Sequence, residues 1–123
     1  MQVLLLWSAA ASALATFAVH TFVGGVFVAR PLLADTGLPK ASKWLNYYCW
    51  HITTVMIIAI AAAFAWSAQR GSAELAAFAT LLTASVAGLS VAVALKAGIN
   101  PLRFPSTSLF TATAACGAAG VLT

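Results

Sequence analysis

The amino-acid sequence predicts an all-α fold, a four-helix up-down transmembrane bundle that forms a single integral membrane domain over residues 1–123. Three observations lead there. Hydrophobic residues make up 63% of the chain and charged residues 7%, against roughly 45–50% and about 25% in ordinary soluble domains. A water-soluble fold of this composition would lack a polar skin. The apolar residues also fall into four long runs separated by three polar breaks. Finally, the runs lack the alternating segments of about ten residues that a membrane barrel requires, and an open strand would leave backbone groups unpaired in hydrocarbon.

The first span is expected from about residue 3 to 29. Arg30-Pro31 stops it, because proline disfavours helix at the residue before it. Ala13-Leu14-Ala15 resembles a signal-cleavage box, but no Lys or Arg precedes the apolar core and the run continues through Val28, so it reads as a retained span. The second span is expected over 43–66 with Ser42 as N-cap. The third, over 73–95, has Ser72 as N-cap and Glu74 in its first turn, where the helix dipole favours an acid. The fourth, over 106–122, lies near the lower limit of about 17 residues for a crossing. Residues 31–42 are expected to form the longest break.

Charge sets an orientation. The first break carries Arg30, Lys40 and Lys43 with Asp35, and the third carries Lys96 and Arg103. The second carries only Arg70, with Glu74 beside it. Loops one and three share a side in an up-down bundle, so the positive-inside rule places them in the cytoplasm and both termini outside. Trp7, Trp44, Tyr47, Tyr48 and Trp66 lie near span ends, as an aromatic belt requires, while Trp50 is deeper and is expected between helices. The net charge of +4 sits in these short loops and not in a basic tract, which fits anionic headgroups and gives no footing for nucleic acid.

Helix packing is expected on small residues at four-residue spacing: Ala59 with Ala63, Ala84 with Gly88, Ala115 with Ala119. Two histidines stand out. His20 lies roughly 15 Å below the Arg30 edge and His51 roughly 12 Å below the same edge at Lys43, at 1.5 Å per residue. An antiparallel hairpin therefore brings them to one depth. Ala13, Thr16, His20 and Gly24 form one stripe of small or polar residues, and Tyr47, His51 and Thr54 another. Thr80, Thr83 and Ser90 on the third span, with Ser108, Thr111 and Cys116 on the fourth, extend a polar seam.

Ionisable groups inside a membrane are functional candidates. His20 and His51, with Thr16, Tyr47 and Thr54 around them, have the chemistry to ligate haem b axially, to hold a transition metal or to relay a proton. Cys116, roughly 16 Å into its span, would be a third soft ligand. Cys49 would not join His51, because two residues along a helix turn by about 200°. The plain alternative is a neutral histidine acting as interhelical glue. No metal motif is present, and no acid lies deep in a span. No Ser–His–Asp set or nucleophile elbow can be assembled, so the chain does not read as an enzyme. The cysteines show no zinc-type spacing. Arg30, Lys40, Lys43, Lys96 and Arg103 form a second candidate site, for phospholipid headgroups.

His20 near the end of a Gly- and Ala-rich span, the segment Tyr47-Tyr48-Cys49-Trp50-His51 opening the next, and a short basic loop before a small-residue fourth span together resemble small uncharacterised four-span bacterial inner-membrane families. The resemblance covers the chain in outline and implies a bacterial inner-membrane location. It carries over no functional residue. The membrane glutamate of small multidrug exporters and the Gly- and Thr/Ser/Phe-rich signature of fluoride channels are both missing. The sequence thus predicts a structural or accessory membrane subunit that packs in the lipid bilayer against itself or a larger complex. The alternatives are a haem- or metal-binding redox subunit and a small transporter or lipid-binding protein.

Overall fold

A computed structural model describes all 123 residues, and every regular element in it is helical. Four long helices carry the fold. The first, α1, is continuous over Gln2–Ala34. The second, α2, spans Lys40–Arg70, α3 spans Ala73–Lys96, and α4 spans Pro105–Leu122. A single 3₁₀ turn, Pro101–Arg103, precedes α4.

By length and composition, α1, α2 and α3 are able to cross a membrane. The fourth helix is the exception among the four expected spans. It has 18 residues and carries Ser106, Thr107, Ser108, Thr111 and Thr113, so it is shorter and less apolar than the others.

The breaks are tighter than the sequence suggests. Loop one is only residues 35–39, held by Asp35, whose Oδ1 accepts from the backbone N–H of Gly37 at 2.7 Å and of Leu38 at 2.9 Å. Short polar side chains close turns in this way. Ser42 is not the N-cap of α2. The helix starts one turn earlier after Pro39, and the Ser42 carbonyl accepts from Asn46 Nδ2. Ser72 does sit at the N-cap of α3, but its hydroxyl makes no capping bond. Two glycines end helices in the left-handed region that favours residues without Cβ. Gly71 (φ 71°) closes α2 with its N–H on Ser67 O. Gly98 (φ 70°) closes α3, with Gly98 N–H on Leu95 O and Ile99 N–H on Ala94 O, the Schellman pattern.

Pro31 does not stop α1. From Val19 to Ala29 the helix is wound in π form, and the Arg30 N–H donates to Gly25 O, five residues back. Pro31 then opens a final α-helical turn, Arg30–Ala34. A change of winding relieves the proline problem, because the first turn after it is where a missing N–H and a fixed φ are tolerated.

The helices pack side by side. α1 lies along both α2 and α4, α3 lies along α4, and α3 meets α2 over a shorter stretch. Each buried stripe has helical spacing. In α1 it is Leu6, Ala9, Ala13 and Thr16; in α3 it is Ala76, Ala79, Thr83, Ala87, Ser90 and Ala94; in α4 it is Thr107, Phe110, Thr113, Gly117 and Gly120. Small residues do bring the backbones together, but mostly not at the expected positions: Ala59, Ala84, Gly88 and Ala115 are exposed, Ala119 is half-buried, and Ala63 packs against the core.

The main core lies at the end of the bundle nearest the termini and the α2–α3 turn. Phe64, fully buried, is surrounded there by Leu6, Ala10, Ile60, Ala61, Ala76 and Ala79. A smaller cluster of Ile57, Ala87 and Phe110 continues it toward the middle. Beyond that level the hairpin of α1 and α2 is poorly covered. No residue of Val19–Val28 and none of Lys40–Met56 is buried. Large apolar side chains face outward over the whole height, among them Leu4, Phe22, Phe27, Val55, Phe78, Leu81 and Leu95. Water would penalise such a surface, whereas hydrocarbon accepts it.

Candidate functional site

The π-wound stretch of α1 and the facing part of α2 hold the residues that the sequence singles out. His20 stands at its start. Its ring stacks on the Trp50 indole, with centroids 3.9 Å apart and planes 19° apart. His20 Nε2 lies 3.2 Å from Trp50 O and 3.1 Å from Thr54 Oγ1, and the Thr54 hydroxyl donates to the same Trp50 carbonyl at 3.1 Å. One tautomer satisfies all three contacts. A proton on Nε2 is donated to the carbonyl and shared with the hydroxyl oxygen, which leaves Nδ1 as the ring's lone-pair nitrogen.

Gly24 makes room for this arrangement. A Cβ placed there would come within 2.5 Å of Trp50 Cη2, so the indole lies directly on the α1 backbone. The wide π turn and the missing side chain together bring Trp50 under His20. Isolated π segments are rare and concentrate at functional sites.

The π winding also leaves a polar orphan. Helical threonines normally return their hydroxyl to the carbonyl four residues back. Thr16, Thr53, Thr54, Thr80, Thr83 and Thr113 all do so. Thr21, in the π-wound stretch, has its Oγ1 buried without a partner.

His51 follows Trp50 in sequence but points elsewhere. It is exposed, and meets the Tyr47 ring edge-on at 4.5 Å. Two separate grooves flank the hairpin, with Trp50 lining both. One, of ≈470 Å³, contains Thr16, His20 and Gly24 together with Phe104, Leu109 and Phe110 of the α4 side. The other, of ≈360 Å³, contains Thr21, Gly25, Arg30, Tyr47 and His51. The structure therefore brings His20 and Thr54 into direct contact and Tyr47 and His51 into direct contact, but opens the two histidines to different sides. Thr16 shares the His20 groove and returns its hydroxyl to Ser12 O at 2.9 Å. Cys116 is not with them: it packs against the Phe64 core at the other end. No group of three His, Cys, Asp or Glu side chains gathers anywhere at metal-holding distance. In this tautomer Nε2 of His20 is taken up by Trp50 O and Thr54 Oγ1, and only Nδ1 keeps a lone pair.

The polar seam exists as separate interhelical links. Ser12 Oγ and Thr113 Oγ1 join α1 to α4 at 2.8 Å. Ser90 Oγ joins α3 to the start of α4, at 2.7 Å to Ser106 Oγ and 2.8 Å to Thr107 Oγ1. Ser90 was legible as a seam residue. Ser108 and Thr111 are exposed instead, because the buried face of α4 passes through Thr107, Phe110 and Thr113, and each of the two follows a buried residue by one position, or about 100°. Sequence reasoning missed Ser12, Thr113 and Thr21; the spacing Thr107, Phe110, Thr113, Gly117, Gly120 is the signal that locates the α4 face.

The basic residues lie at the open end. Arg30, Lys40, Lys96 and Arg103 are exposed, and Lys43 Nζ donates to Leu33 O at 3.2 Å. Arg70 lies at the opposite end, its guanidinium 5.2 Å from the Trp66 ring centre.

The chain shows no significant match to any protein-family model, curated protein or solved structure.

Proposed function

We propose that the chain is a small integral membrane protein that works as an accessory subunit, packing its open end against membrane helices of a second copy or a larger complex. In this reading all four helices cross a bacterial inner membrane as an up-down bundle. The short α4 is carried by α1 and α3, and its Ser106, Thr107 and Thr113 hydroxyls are bonded to Ser90 and Ser12. Loops one and three lie in the cytoplasm, where Arg30, Lys40, Lys43, Lys96 and Arg103 cluster, and both termini lie outside.

One observation carries the reading. No residue of Val19–Val28 and none of the facing Lys40–Met56 is buried, while the other half of the bundle is closely packed. In hydrocarbon, helices associate by van der Waals fit. A face left with an apolar groove between α1 and α4, walled by Val23, Phe27, Phe104 and Leu109, lacks that fit within the chain and gains it from another helix. His20, stacked and hydrogen-bonded, then serves to fix Trp50 and the shape of this face.

The tagged protein, extracted in mild detergent and sized by light scattering, is expected to run as a complex larger than its own 12.6 kDa. Phe27→Ala with Phe104→Ala should release the monomer, and Leu81→Ala on the far side of α3 should not. A monomeric wild type overturns the accessory reading. A Soret band in the purified protein, lost in His20→Ala, would replace it with the haem alternative. For orientation, with Cys49 and Cys116 changed to serine, Thr36→Cys should react only with reagent on the cytoplasmic side.

A further inference from the structure

We propose that the groove on the outer side of the α1–α2 hairpin is a binding site for one acidic phospholipid. The headgroup phosphate would sit on Arg30 and an acyl chain would lie against Phe22 and Val26. The inference rests on the membrane reading above and adds a ligand to it.

The groove has two chemically different ends. It opens to ≈360 Å³ and its lining includes Arg30, Tyr47, His51, Trp50, Val26 and Phe22. Phe22 and Val26 precede Arg30 by two turns and one turn, so along α1 the lining passes from apolar to cationic. This is the profile of an amphiphile lying parallel to a helix with its charge at the interface. A water-soluble anion would gain nothing from the apolar half.

The charge is available. The chain has two acidic residues, Asp35 and Glu74. Glu74 is in the first turn of α3, at the other end. Asp35 is held in its loop by the N–H groups of Gly37 and Leu38. Arg30 is exposed, and Leu33, also in the groove lining, carries the Lys43 ammonium on its carbonyl at 3.2 Å. A phosphate accepting both N–H bonds of the guanidinium fork makes the strong, directional contact for which arginine is suited. Lys43, on the Leu33 carbonyl of the same lining, favours a headgroup with net negative charge over a zwitterionic one, whose cationic end it repels. Exposed His51 adds a hydrogen-bonding ring one turn deeper, alongside Tyr47. In hydrocarbon such a polar group is costly until something satisfies it.

The experiment uses the full chain in nanodiscs of phosphatidylcholine, alone or mixed with phosphatidylglycerol, read by native mass spectrometry for retained lipid and by the thermal unfolding midpoint. Wild type should retain one phosphatidylglycerol and unfold at a higher temperature in the mixed bilayer. Arg30→Gln should weaken retention about tenfold. Val26→Trp, which fills the apolar half at an exposed position and leaves every charge in place, should weaken it as well. Lys96→Gln, at the same end but outside the groove, should leave it unchanged. Equal loss in Lys96→Gln would show a diffuse charge effect and overturn the site, and so would unchanged retention in both Arg30→Gln and Val26→Trp. Protection of the detergent-solubilised protein by inorganic phosphate alone would show a free-anion site and overturn the lipid assignment. Alkaline carbonate separates the two layers of the argument: wild type released by it without detergent overturns the membrane reading itself, whereas wild type that stays in the membrane but selects no lipid overturns only the site.

Discussion

Both ends of this bundle draw on small and apolar residues but obey different packing rules. At the end near the termini, Ala9, Ala10, Ala13, Ala61, Ala76 and Ala79 close around Phe64, and Gly117 and Gly120 let α4 approach so closely that a Cβ at either would meet a neighbouring side chain within 2.8 Å. At the end bearing loops one and three, α1 changes to π winding, Trp50 and His20 stack across the hairpin, and grooves remain on both sides. The difference teaches that small residues make a bundle tight only where a large one fills the space between them. Phe64 does this at the closed end. At the open end Trp50 covers Gly24 but leaves room on either flank.

The strongest way to break the comparison is to empty the closed end. Phe64→Ala is expected to destabilise the fold by about 3–5 kcal/mol, because Phe64 is fully buried and every neighbour around it is itself packed. Reversible unfolding in mixed detergent and sodium dodecyl sulfate measures it. A loss below about 1 kcal/mol would mean that the closed end collapses freely and is not the rigid half. Overfilling the same place comes next. Gly117→Ala puts a Cβ 2.6 Å from Thr80 Oγ1 and 2.7 Å from Phe64 Cζ. The Thr80 hydroxyl is held on Ala76 O at 2.8 Å and Phe64 has nowhere to move. The expected cost is about 1–3 kcal/mol, partly offset by the better helix propensity of alanine.

How the sequence relates to this architecture differs from level to level. Four apolar runs are visible and the observed helices fall on them; three are long and apolar enough to cross a membrane, which demands about 20 apolar residues in succession. Which face of each helix is inside is far less visible. In a membrane the outward side is apolar too, so the alternation that marks a soluble helix fades. Ala84 and Gly88 turn outward, whereas Ala59 and Ala63 line the groove between α2 and α3. Ser108 and Thr111 were chosen where Thr107 and Thr113 are the buried pair. The continuation of α1 past Pro31 depends on the π stretch, and no residue pattern announces a change from i−4 to i−5 bonding; Gly24-Gly25 is its one trace. That change also rotates everything after His20 relative to a 3.6-residue period. The stripe of Thr16, His20 and Gly24 still lines one groove; the stripe on α2 is the one that divides, with Tyr47 and His51 in the other groove and Thr54 against His20.

The hairpin's polar link gives the third prediction. His20→Ala removes Nε2 from Trp50 O and Thr54 Oγ1 and exposes one indole face. The expected cost is about 0.6–2 kcal/mol, the range of interhelical hydrogen bonds in membranes. Thr54→Val keeps the stack and removes one hydrogen-bond partner, so it should cost less than His20→Ala. If the two cost the same, the stacking contributes nothing and the Trp50 side chain is placed by packing alone.

The smallest expected effect is also the sharpest test of the contrast between the ends. Gly24→Ala creates an overlap as severe on paper as Gly117→Ala, with the new Cβ 2.5 Å from Trp50 Cη2. The atom it meets is different in kind. Cη2 is the far end of a half-buried side chain with a groove on each side, whereas Phe64 is sealed. The indole has room to swing, so the cost should be below about 1 kcal/mol once alanine's propensity gain is included. The swing must break the His20 stack, so tryptophan fluorescence and near-ultraviolet circular dichroism should change in Gly24→Ala while stability barely does. Gly117→Ala should show the reverse, a loss of stability with the tryptophan signal intact. Equal destabilisation by the two substitutions would mean that the grooves beside Trp50 close in the membrane, and that the hairpin is as rigid as the core.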